Sequence, residues 1–152
     1  MSVIGNLTTG RVGSKIVVAA WSCGYSASGN GRIGFERSVA EPICICDNNY
    51  FTVDAENKAF NCVKAGKYIV YYFFKSNISS TDGTRPTYTV SYSVKKGSNN
   101  IASGTTNAGV LKASSTKQSI SVGSSISGQY SVSSFYDSFS RGIDAALVIV
   151  EA

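Results

Sequence analysis

The sequence predicts an all-β protein, a two-sheet antiparallel sandwich or jelly roll, and three observations carry that prediction. Roughly eight to ten short apolar or alternating segments are separated by turn residues, with no helical segment among them. The composition is 43% hydrophobic and only 15% charged, against a usual charged share of about 25%, and it carries 15 Gly, 9 Tyr and 7 Phe. Finally, three segments far apart in the chain are apolar on both faces of the pleat, where a strand with one face in water would alternate.

In chain order, residues 1 to 14 read as a polar, Gly-containing arm, and residues 15 to 152 as a single domain. A chain of this length buries about 70% of the surface its unfolded form exposes, enough for one core. Residues 15 to 21 form the first doubly apolar strand, and 24 to 31 (GYSASGNG) a loop. Residues 32 to 38 read as a short edge strand. Pro42 opens a strand from Ile43 to Cys46, and Asp47-Asn48-Asn49 turns it. Strands Tyr50 to Val53 and Ala59 to Val63 flank a turn from Asp54 to Lys58.

A turn at Lys64-Ala65-Gly66 leads into the longest apolar run, Tyr68 to Phe74. The polar segment 76 to 86 reads as a loop. Thr87 to Lys95 alternates, with Tyr88, Val90, Tyr92 and Val94 on the core side and Thr89, Ser91 and Ser93 on the wet side. Lys96 to Asn100 reads as a turn, 101 to 110 as a Gly/Thr/Asn stretch, and Lys117 to Val122, Ser125 to Phe135 and Ile143 to Val150 as the last strands.

One domain has one core, and that core covers one face of each sheet. The second apolar face of the first, central and last strands therefore calls for cover by copies of the same protein. The residues placed at that subunit interface are Ile16, Val18, Ile69, Tyr71, Phe73, Leu147 and Ile149.

Composition excludes several functions. The chain has no histidine, so no imidazole base can activate a serine or cysteine, and the commonest metal ligand is missing. Most carboxylates fall in turns, where they serve the backbone. No catalytic residue, cofactor site or metal site is assigned. Cys44 and Cys46 point the same way on one strand, and with lone Cys23 and Cys62 they do not form the paired knuckles of a zinc site. The net charge of +5 comes from scattered Lys and Arg that never run beyond two, which is a solvated surface and no nucleic-acid footprint. No apolar stretch reaches the roughly 20 residues of a membrane helix. The N-terminus has no charged segment followed by an apolar one, which predicts synthesis in a cytoplasm without a signal peptide.

Two segments resemble a known family. The run YFTVDAENKAFNCVKAGKYIVYYFF resembles the central signature of the complement globular-head and tumour-necrosis-factor jelly rolls through Phe60, Cys62, Gly66 and Tyr68. Near the end, Ser138, Phe139, Ser140 and Gly142 resemble the segment that leads into that family's final strand. The resemblance implies a three-fold homotrimer whose inner sheet, built partly from the first, central and last strands, faces the axis. It departs from the family in lacking an acidic cluster for calcium and a collagen-like stalk.

Similar domains also serve as head fibres, decoration proteins and fibre tips of bacteriophages. The resemblance thus implies a non-enzymatic virion structural protein, anchored to other virion proteins through residues 1 to 14. The alternative is a recognition module, extracellular in its action, that grips a host glycan or protein through loops bearing Tyr25, Arg85, Tyr136 and Arg141.

Overall fold

A computed structural model describes residues 11–12, 15–25, 30–33, 43–76, 79–80, 89–107, 110–132, 139–140 and 143–152. Its elements are β1 (Arg11–Val12), β2 (Lys15–Tyr25), β3 (Asn30–Ile33), β4 (Ile43–Cys46), β5 (Phe51–Asp54), β6 (Ala59–Cys62) and β7 (Gly66–Ser76). They continue with β8 (Ser79–Ser80), β9 (Thr89–Lys96), β10 (Asn99–Asn107), β11 (Leu111–Ile120), β12 (Ser125–Val132), β13 (Phe139–Ser140) and β14 (Ile143–Glu151). Every pairing among them is antiparallel.

Two six-stranded sheets make the sandwich. The first runs β1-β2-β14-β7-β11 with β4 on β2, and the second runs β10-β9-β12-β6-β5 with β3 on β12. The three strands that the sequence marks as apolar on both faces are neighbours, in the order β2-β14-β7. In β14, every residue from Ala145 to Val150 is at most 4% exposed, so both of its faces are buried. β7 is asymmetric: Tyr68, Val70 and Phe74 are buried, while Ile69, Tyr71 and Phe73 are half-buried.

Register sorts these side chains. Leu147 lies opposite Tyr72 and Trp21, and Ile149 opposite Val70 and Ala19, all on the sandwich interior. Val148 lies opposite Tyr71 and Ala20, and Val150 opposite Ile69 and Val17, on the outward face. A β-bulge lies between these pairs, because Ile149 meets Ala19 but Val150 meets Val17. Val18 is the extra residue, which lets it join neighbouring Ala19 in the interior cluster.

The turn chemistry behaves as the residue types require. Asp47 Oδ1 accepts from Asn49 N at 3.0 Å, and the Asp47 carbonyl accepts from Tyr50 N at 2.9 Å. Asp54 accepts from the backbone and side chain of Asn57 at 3.1 and 2.9 Å, and Lys58 closes that hairpin at φ 53°. Gly97, at φ 62°, makes the two-residue turn from β9 to β10.

Several sequence expectations change. The turn expected at Lys96 to Asn100 narrows to Gly97 and Ser98, and the stretch 101 to 110 is largely strand β10, at a sheet edge. β11 begins at Leu111, six residues before the expected Lys117; it is an edge strand, mostly exposed on both faces, so no apolar alternation announces it. Val122, expected in that strand, is 66% exposed in the connection after it. β3 starts at Asn30, inside the segment expected to be loop, and most of the expected 32 to 38 strand lies outside the described residues. Apart from Arg11 and Val12, which pair with Ile16 and Lys15, the 1 to 14 arm also lies outside them.

Candidate functional site

Among the described residues, two surfaces carry side chains suited to contact. The first is the outward face of the β2-β14-β7 sheet. There Val17, Ala20, Val148 and Val150 form a second apolar cluster, buried within the single chain, with Ile45, Ile69 and Tyr71 packed half-buried around it. Phe73, opposite Ala146, extends the same row.

Of the seven residues assigned to an interface from sequence, Ile69, Tyr71 and Phe73 lie on this outward face. Val18, Leu147 and Ile149 do not: they belong to the sandwich core, with no exposure. The correction is one residue of register, because alternate side chains on a strand take opposite faces and the sequence alone does not label which is which. On β14 the outward residues are Val148 and Val150 in place of Leu147 and Ile149, and on β2 the bulge carries Val18 inward. Ile16 is 46% exposed.

The second surface is a cleft of about 730 Å³ on the outside of the other sheet, lined from β9, β10 and β12. Ser93 lies opposite Ser103 and Gln129, and Ser91 opposite Thr105 and Ser131, which gives two rows of three neutral polar side chains. The row between them, Tyr92, Gly104 and Tyr130, turns its rings into the core. Sequence reasoning identified the Ser91 and Ser93 face as wet but missed the cleft, because β10 carries no apolar period to mark it as a strand.

Of the loop residues proposed for recognition, Tyr25 ends β2, and Arg85, Tyr136 and Arg141 lie outside the described residues. Cys44, Cys46 and Cys62 are free thiols. Cys46 donates to the Phe51 carbonyl at 3.0 Å, and burial first, then Cys44 and Asp47, push its pKa to about 11. Burial raises Cys62 as well, against the opposing backbone hydrogen bond at Lys64. Among the described residues no cluster of Cys, Asp and Glu could hold a metal ion, and no helix is long and apolar enough to cross a membrane.

The fold is similar to those of solved structures. Eiger TNF from S. frugiperda superposes with a TM-score of 0.50 at 12% identity, covering 90% of this chain and 92% of that one. The fold is a tumour-necrosis-factor-like jelly roll. Pika GITRL matches with a TM-score of 0.47 at 12% identity, over 86% and 95% of the two chains. PRD1 vertex protein P5 matches with a TM-score of 0.47 at 16% identity, over 89% and 97%. No family profile and no curated protein sequence matches the chain.

In this tumour-necrosis-factor-like jelly roll the signature residues are packing residues. Phe60, Cys62 and Tyr68 are all buried in the core. The Cys62 thiol donates to the Lys64 carbonyl at 3.2 Å, and the Tyr68 hydroxyl donates to the same oxygen. Phe51 meets the Tyr68 ring edge-on at 5.1 Å. The motif therefore builds the turn that launches β7, and through β7 it sets the outward face.

Proposed function

We propose that the chain is a homotrimeric, non-enzymatic structural module of a bacteriophage virion, serving as a capsid decoration, part of a head fibre or a fibre tip. The observation that carries the trimer is the outward apolar face of β2, β14 and β7 in a tumour-necrosis-factor-like fold. Three copies turned about one axis would pack half-buried Ile45, Ile69, Tyr71 and Phe73 against their neighbours, a heterologous contact that closes after three. The virion role is supported by the resemblance of the domain to phage head-fibre and decoration modules, and the non-enzymatic part by a chain without histidine to serve as an imidazole base.

Light scattering on purified protein tests the assembly. The expected mass is three times the 16.0 kDa chain. A stable monomer would mean that the chain covers its own apolar faces, and would remove this reading. In particles, deletion of residues 1 to 14 is expected to spare the trimer and abolish incorporation; incorporation of the shortened chain would remove the arm's anchoring role.

A second reading, a recognition module for a host glycan or protein, is favoured by one observation, the neutral polar cleft on the sheet that faces away from the proposed axis.

A further inference from the structure

We propose that the cleft across β9, β10 and β12 binds a neutral polyhydroxylated ligand, a glycan without sulfate or carboxylate groups. The proposal deepens the recognition reading and does not depend on the trimer.

The chemistry of the described lining selects the ligand class. Ser91, Ser93, Ser103 and Thr105 each carry a hydroxyl that can donate once and accept twice, and Gln129 adds an amide that does both. A sugar hydroxyl has the same dual capacity, so such a surface can pair with it in either sense. A phosphate, sulfate or carboxylate would call for Arg, Lys or a cluster of backbone N–H groups. None of the 14 Lys and Arg is among the described lining residues. Two stand at the margin of the cleft, Lys95 opposite the lining Asn100 on the same strand face as Ser93, and Arg32 paired with Gln129 from β3, so the hydroxyl and amide groups hold the centre and the cationic residues only the edge.

Size and register support a built site. A volume of about 730 Å³ falls within the range of about 300 to 1,000 Å³ usual for ligand clefts. Neighbouring strands lie about 4.8 Å apart, and residues i and i+2 about 6.6 Å, so the two rows form a regular grid of polar groups. The choice of residues also runs against local preference. Four of the six residues in the two rows are serine, where Thr would keep the face wet and suit a strand better. Such a conflict between local propensity and fold is expected where a surface serves a ligand.

The test compares Ser93→Thr with Ser93→Val. The two replacements have the same shape and suit a strand equally, and they differ only in the hydroxyl. Binding is measured by calorimetry and by an immobilised panel of neutral oligosaccharides (glucose, mannose and N-acetylglucosamine polymers) alongside heparin and hyaluronan. The wild type and Ser93→Thr are expected to bind at least one neutral polymer. Ser93→Val and Gln129→Met are expected to lose about tenfold in affinity with an unchanged melting temperature. Failure to bind any neutral polymer, binding to the anionic polymers alone, or equal binding by Ser93→Thr and Ser93→Val would each overturn the proposal. Mass measured on the same samples keeps the two readings apart, since a monomer that binds leaves the site standing and a trimer that does not bind leaves only the assembly.

Discussion

Tyr92 on β9 stacks on Phe74 of β7 with ring centroids 4.5 Å apart and planes 12° from parallel, a contact that joins the two sheets of the sandwich. Tyr72 adds tilted contacts to both rings, at 6.0 and 6.3 Å. Phe74→Ala would empty the centre of this cluster, and it is expected to cost about 3–5 kcal/mol in urea unfolding. A cost under about 1 kcal/mol would mean that the sheets do not rely on this contact.

Tyr92 can lie where it does because Gly104, its partner across the strand pair, has no side chain. A methyl group at Gly104 would sit 2.6 Å from Tyr92 Oη and 2.9 Å from Cζ. Gly104→Ala is expected to destabilise by about 1–3 kcal/mol through displaced packing. Tyr92→Phe removes the nearer of those two atoms, so the same substitution should cost less in that background. Equal costs in both backgrounds would rule out the clash.

The outward face of β7 gives a test of assembly by charge. Tyr71→Asp or Phe73→Asp would place a carboxylate where the proposed trimer needs apolar contact, and monomer or aggregate is expected by light scattering. Leu147→Asp, in contrast, is expected to unfold the subunit, because that side chain has no exposure inside the sandwich. A trimer unchanged by Tyr71→Asp would place the interface elsewhere.

Tyr68 predicts an alkaline limit to stability. Burial first, then the charges of Cys62, Glu151 and Tyr50, raise its pKa from 10.0 to about 12. Between these values the unfolded chain has lost the proton and the folded chain has kept it, so stability is fully present below pH 10 and falls as pH rises toward 12. Tyr68→Phe is expected to flatten that part of the pH profile while weakening the fold at neutral pH by about 1 kcal/mol through the lost bond to Lys64. A profile of the same slope in both proteins would assign the limit to another group.

The thiols predict slow chemistry. With Cys23 and Cys44 replaced by Ser, Cys46 and Cys62 are expected to resist a disulfide reagent at pH 8 until the protein unfolds, since only the thiolate attacks and burial raises both pKa values. Immediate modification of the native protein would show that one of them reaches solvent as a thiolate.

Much of this protein is legible in its sequence where side-chain pattern and backbone need coincide. The Asp47 and Asp54 turns and the strand at Ile43 to Cys46 all follow from residue types at fixed spacing. The doubly apolar character of β2, β7 and β14 follows from composition, because a residue that must lose water on either face is apolar wherever it points. By itself the sequence thus determined an all-β sandwich with one sheet buried on two sides.

What only the tertiary structure decided was which side chain faces which way, and where polar strands lie. Val148, and not Leu147, points outward because pairing fixes β14 against Tyr71 and Ala20, and the bulge at Val18 resets β2; both choices are equally apolar in the sequence. β10 and the first half of β11 are held by backbone hydrogen bonds to β9 and β7, which any residue but proline can make and no side-chain pattern reports. The cleft depends on the same cause, since its two polar rows assemble only once the β9-β10 hairpin is laid beside β12, which follows it at a distance in the chain.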